Sequence, residues 1–173
     1  MKSASSFQRI LAIDPTTSGF AFVVLEGRER LVDWGVTRVW AKSDNEYLAR
    51  VEAIVQRYSP VCLVLEEVGH SRRGARARRR IALSLRYARS HKLTVVRVSW
   101  DMVRQAIGEG VNTKHEIASK IASQFAELAV HLPHRRRAWE NEDPRINIFD
   151  AMAFALAAYS DAALLDTRAV TIP

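Results

Sequence analysis

The chain has 173 residues, of which 48% are hydrophobic and 26% charged, with a formal net charge of +7. A chain of this length buries roughly 70% of its unfolded surface, so it needs neither disulfides nor a structural metal for stability, and its composition excludes a disordered protein. The cation excess points to a polyanionic partner.

One domain spanning 1–173 is expected. The opening MKSASSFQRI holds no apolar leader, and no apolar run approaches the roughly 18 residues of a membrane span, so a cytoplasmic protein with no membrane partner is expected. Residues 8–14 and 19–25 are apolar runs joined by PTTSG, and an EGRER turn leads into LVDWGVTRVW. Three strands with short turns predict an antiparallel meander. SDNEYLARVEAIVQRYSP reads as a helix, with Ser43 and Glu46 at capping-box spacing, one stripe of Leu48, Val51, Val55 and Tyr58, and Pro60 closing it. VCLVLEEV is apolar on both faces, as expected of a buried parallel strand, and its Cys62 reads as core.

A basic loop and helix run to His91, followed by LTVVRV as another buried strand and SWDMVRQAIG as a short helix. TKHEIASKIASQFAEL reads as a longer helix, with Thr113 and Glu116 again at capping-box spacing. INIFDAMAFALAAYSDAAL is a helix apolar nearly all round, and is therefore expected to be buried. The order predicts an α/β fold with a mixed five-stranded sheet, an antiparallel three-strand meander plus two parallel strands, flanked by helices.

Three acids stand in strongly apolar sequence on elements far apart: Asp14, Glu66 and Asp150. Each has a plain structural explanation. Asp14 before Pro-Thr-Thr could bond turn amides, Glu66 or Glu67 could pair with an arginine, and Asp150 could complement a helix dipole. If the strands of Asp14 and Glu66 are parallel neighbours, however, both acids emerge at one sheet edge, where the final helix can deliver Asp150. Three converging carboxylates repel one another unless cations intervene, and hard oxygen ligands suit magnesium or manganese.

Between Val68 and Trp100 there are ten Lys or Arg residues and no Asp or Glu. Six crowd into SRRGARARRR: Arg72, Arg73, Arg76, Arg78, Arg79 and Arg80. Solvated faces usually mix signs, so the run is expected to contact nucleic-acid phosphates. The five histidines show no zinc-type spacing.

The stretches ILAIDPTTSGFAFVV, LVLEEVG, VRQAIGEGVNTKHEIASKIA and NIFDAMAFALA together resemble the RuvC-type Holliday-junction resolvases of the ribonuclease H-like superfamily. The likeness covers roughly residues 8 to 160. It implies a ribonuclease H-like nuclease domain that cuts four-way junctions, or other branched DNA, by paired nicking as a homodimer with two magnesium ions per site. It places Asp14, Glu66 (rather than Glu67) and Asp150 as catalytic metal ligands, with Lys114 and Arg104 as basic groups near the phosphate. The arginines after Glu67 would grip the DNA backbone.

The sequence departs from the family pattern at Asn147, where an acid or histidine is usual. Asn147 lies one turn before Asp150, so its amide oxygen is expected to complete the metal site, with its NH2 toward Glu142 or Asp143; Asp143 is the alternative ligand. The helix around IALSLRYA, with Ile81, Leu85 and Ala88 on one face, is the candidate dimer interface unless the sheet takes that face. Two competing classes are a ribonuclease H-like binding module without catalysis and a related nuclease acting on RNA. An actin-like nucleotide-binding fold needs a second domain and phosphate loop for which 173 residues leave no room.

Overall fold

The computed structural model describes residues 8–39, 43–69, 73–137 and 139–161. Three strands form the meander: β1 (Arg9–Pro15), β2 (Gly19–Glu26) and β3 (Arg30–Arg38). Then follow α1 (Asp44–Tyr58), β4 (Cys62–Glu66), α2 (Ala75–Ser90), β5 (Thr94–Val98), α3 (Trp100–Ile107), α4 (Lys114–Gln124), α5 (Ala126–Ala129) and α6 (Ile146–Ser160). The sheet order is β3-β2-β1-β4-β5, antiparallel through the meander and parallel from β1 to β4 to β5.

The apolar runs of β1 and β4 lack alternation because helices cover both sheet faces. Ile10, Ala12, Cys62 and Val64 face the layer containing α3, α4 and α6, while Leu11, Ile13, Leu63 and Leu65 face α1 and α2. Side chains alternate along a strand, so Asp14 shares the face of Ile10 and Ala12, and Glu66 that of Cys62 and Val64. Both acids therefore lie on the α6 side of the sheet.

The β1–β2 turn is closed by Thr16 N donating to Gly19 O at 2.9 Å. Gly19 is required there, because an added Cβ would lie 1.8 Å from the carbonyl oxygen of Thr37 on β3. The helices start as expected: Ser43 Oγ accepts from Glu46 N at 3.1 Å, and Thr113 and Glu116 form a complete capping box.

Three expectations need correction and one is extended. β5 is an edge strand in which only Val96 and Val98 are buried, because no strand pairs with its outer side. The helix predicted over 113–128 breaks at Phe125, whose extended backbone (φ −120°, ψ 95°) seats its ring in the core before α5 begins. On α1 the Leu48, Val51, Val55 and Tyr58 stripe packs against the core as expected, and Tyr47 joins it as a fully buried anchor whose hydroxyl meets Ser84 Oγ of α2 at 2.7 Å. Finally, the Ile81 and Ala88 face of α2 is buried against the sheet with Leu83 and Tyr87, so it offers no dimer surface. Among the described residues, no helix is long and apolar enough to cross a membrane.

Candidate active site

The parallel register sets Ile13 opposite Leu65, which brings Asp14 level with Glu66 at the carboxyl ends of adjacent strands. α6 packs along β1, β2 and β4 and supplies Asp150. All three acids are buried, with relative exposures of 0%, 3% and 2% for Asp14, Glu66 and Asp150. Burial pushes Asp14 up from 3.8 to about 7 against the pull of Arg73, and the nearby charge of Asp150 pushes the same way. Burial likewise raises Asp150, opposed by Lys114.

Two side-chain cations hold this cluster. The guanidinium of Arg73 bridges Asp14 and Glu66, and its Nη1 donates to the Pro15 carbonyl at 2.8 Å. Lys114 Nζ lies 2.5 Å from Asp150 Oδ2 and 3.7 Å from Glu142 Oε1, and 5.3 Å from the Trp100 ring centroid. Trp100 Nε1 donates to the second oxygen of Glu66 at 3.1 Å, while its ring meets Phe154 edge-on at 5.2 Å. Burial alone would lower the pKa of Arg73 and Lys114, but the facing carboxylates raise both.

Among the described residues, no three acid, histidine or cysteine side chains are grouped so as to hold a metal ion as they now stand. The donor chemistry nevertheless fits a hard divalent cation. Three carboxylates converge, and Asp14 Oδ2 is a buried acceptor with no hydrogen-bond partner, which leaves a lone pair for a cation.

The cluster opens into a cavity of about 1490 Å³, whose wall includes Thr16, Arg38, Glu66, Arg73, Trp100 and Arg145. A second cavity of about 840 Å³ adjoins it through the shared residues Lys114, Glu142, Asp143 and Pro144, and adds His134, Arg135 and Arg136. Trp139, which lines neither cavity, is 77% exposed, with the Arg137 guanidinium 5.7 Å from its ring centroid. Asn147 and Asp143 both line the first cavity. The Asn147 amide nitrogen donates to the Pro144 carbonyl at 3.1 Å rather than to Glu142 or Asp143, and the Asp143 carboxylate is paired with Arg145 at 2.6 Å.

The basic run does not act as one surface. Arg80 is 2% exposed and donates to the Thr16 and Gly19 carbonyls at 2.5 and 3.0 Å, with its guanidinium 5.3 Å from the Tyr47 ring centroid. It braces the turn after Asp14 and reaches no external phosphate, contrary to expectation. Arg73 is likewise committed to the acids. Arg79 pairs with Asp44 at 2.5 Å, whereas Arg76 and Arg78 remain at the surface, the latter bonded to the Arg73 carbonyl at 3.0 Å. Arg104 pairs with Asp101 on α3 at 2.7 Å and does not line the cavity. Arg72 lies outside the described residues.

The sequence reading missed Trp100 and Trp139. Trp100 had a readable signal, standing two residues past β5 at the same sheet edge as the acids. Trp139 follows HRRR, a basic-aromatic juxtaposition that was available in the sequence.

The mixed sheet with its meander, parallel pair and flanking helices is the ribonuclease H-like fold of the RuvC-type resolvases. Neither a protein-family model nor a curated protein matches the sequence. Among solved structures, Thermus thermophilus RuvC in complex with a Holliday-junction substrate superposes with a TM-score of 0.65 at 20% identity, covering 92% of this chain and 97% of that one. A structure of Thermus thermophilus RuvC gives 0.63 at 21% identity, covering 91% and 96%. The Fowlpox virus resolvase in complex with Holliday-junction DNA gives 0.57 at 14% identity, covering 92% and 100%.

Proposed function

We propose that the protein is a metal-dependent, structure-selective endonuclease that resolves four-way DNA junctions by paired nicking as a homodimer. One observation carries the reading: Asp14, Glu66 and Asp150 converge, buried, on one sheet edge that opens into a cation-lined cavity. The shared fold supports it, since two of the structural neighbours are complexes with Holliday-junction DNA.

Asp14, Glu66 and Asp150 would hold magnesium or manganese, two ions per site, and such ions supply activation of a water and charge stabilisation at the scissile phosphate. Asn147 would add a neutral amide oxygen, since its nitrogen is already engaged by Pro144. Trp100 fixes one oxygen of Glu66 through the indole N–H, while the other accepts from Arg73. Lys114 stands where it can shift from Asp150 to phosphate oxygens and stabilise charge developing there. Arg76, Arg78, Arg135 and Arg136 would hold backbone phosphates, which orients the strand without reading sequence. Exposed Trp139 beside Arg137 offers a face for an unpaired base.

A catalytically impaired binding module is the second reading, favoured by the neutral Asn147 and by the two side-chain cations on the acids. Incubation with magnesium and four-way junction, flap, duplex or RNA–DNA hybrid separates the readings. The nuclease reading expects symmetric paired nicks in the junction above all. Tight junction binding with no cleavage favours the binding module, and faster cleavage of the hybrid contradicts the DNA assignment.

A further inference from the structure

Arg73 occupies the two carboxylates that the proposed chemistry requires for metal. Its Nη2 donates to Asp14, its Nε to Glu66 and its Nη1 to the Pro15 carbonyl, so every nitrogen of the planar fork is engaged. The side chain is only 17% exposed, yet it lines the cavity into which a DNA strand would enter. Its backbone is tethered through Arg78 Nε, but a Cβ added at the adjacent Gly74 would meet nothing within 4 Å. The cavity of about 1490 Å³ that Arg73 lines leaves its side chain room to swing while the main chain stays in place.

The same carboxylate lone pairs cannot serve a bridging guanidinium and divalent ions together. A phosphodiester, in contrast, offers the guanidinium another pair of oxygens with matching geometry. We propose that Arg73 is an internal counter-ion that keeps Asp14 and Glu66 closed to divalent cations until a nucleic-acid phosphate draws it away, so that metal loading follows DNA binding. This rests on the reading of Asp14 and Glu66 as metal ligands. In the metal-free protein the contact also relieves repulsion among the acids; on DNA the same arginine becomes a phosphate ligand beside the site. The apparent metal affinity of the free protein is then reduced by the fraction of molecules in which Arg73 has let go.

Manganese binding, followed through the free-ion electron paramagnetic resonance signal, tests this without reference to cleavage. DNA-free wild type is compared with Arg73→Gln, with Arg73→Lys, and with Arg89→Gln, an exposed arginine farther along α2, as a control for the loss of one positive charge. Arg73→Gln is expected to bind manganese about tenfold or more tighter than wild type, and Arg89→Gln to change little. Arg73→Lys, too short and unforked to bridge both acids, is expected to fall between them, and it carries the test if the glutamine variant does not fold by circular dichroism. A four-way junction with phosphorothioate linkages at its crossover should tighten manganese binding more in wild type than in Arg73→Gln. Equal affinities for wild type and the folded Arg73 variants would overturn the counter-ion role while leaving the metal site standing. Failure of every protein to bind manganese, with and without DNA, would overturn the metal reading and this proposal with it.

Discussion

At the scale of single residues, the carboxyl of Asp14 is fully buried, with one oxygen held by Arg73 and the other without a hydrogen-bond partner. Its folded pKa of about 7 lies above the ordinary 3.8, so between those values the folded state keeps a proton that the unfolded chain releases. Stability contributed by this group therefore falls as pH rises from 3.8 to about 7, and the penalty is complete above that. Asp14→Asn is expected to raise the melting temperature of the metal-free protein at about pH 8, with the gain shrinking as the pH falls toward 4; scanning calorimetry at both ends checks the sign. A lower melting temperature at the alkaline end would mean that the Arg73 contact outweighs the burial cost. Asn147 makes a second prediction. With one negative charge fewer than an acid would give, the site should bind its second ion weakly. Asn147→Asp is expected to lower the magnesium concentration for half-maximal cleavage and Asn147→Ala to raise it, measured by titrating magnesium at fixed junction. A metal-soaked crystal in which Asp143 leaves Arg145 to coordinate instead would transfer the role to Asp143.

At the scale of elements, the arginine-rich stretch divides into a structural part and a surface part. Arg80 is buried, satisfied by two turn carbonyls and the Tyr47 ring. Arg80→Met removes the donor to the Thr16 carbonyl and one of the two donors to the Gly19 carbonyl, and should lower the melting temperature by several degrees, with loss of activity following from a loosened Asp14 turn. Arg76→Ala with Arg78→Ala should leave melting nearly unchanged and flatten the salt dependence of DNA binding by about 0.9 per lost phosphate contact. An unchanged slope would show that these two arginines only solvate the helix. The division was not legible in the sequence, because burial of a guanidinium depends on which turn of α2 faces the β1–β2 loop. The break at Phe125 was hidden for a similar reason: the apolar period continues across it, and only the packing of the Phe125 ring into the core interrupts the helix. The meander, in contrast, was readable from short turns between apolar runs, and the central strands from apolarity on both faces.

For the whole molecule, the sheet order was legible in outline because βαβ connections place β4 and β5 parallel and adjacent. The convergence of Asp14, Glu66 and Asp150 followed from that order, from strand parity and from the last helix. Pairing of Glu66 with a nearby arginine was among the readings the sequence offered, and Arg73, seven residues on, makes it; what the sequence could not show was that the same guanidinium reaches Asp14 and that Lys114 reaches Asp150, contacts that span 59 and 36 residues of chain. Paired nicking needs two active sites, and each chain carries one acid cluster, so a dimer is expected by light scattering at micromolar concentration with junction DNA. Its interface must lie away from the α2 face that the sheet has taken, and a strict monomer with and without junction would contradict paired cleavage. Cleavage of a four-way junction in magnesium by wild type, Asp14→Asn, Glu66→Gln and Asp150→Asn, with junction binding measured alongside, decides whether these three acids work as the metal ligands of a junction nuclease. Symmetric nicks are expected from the wild type, and loss of cleavage with binding retained or tightened from all three variants. Cleavage at the wild-type rate by any one of them would contradict that role.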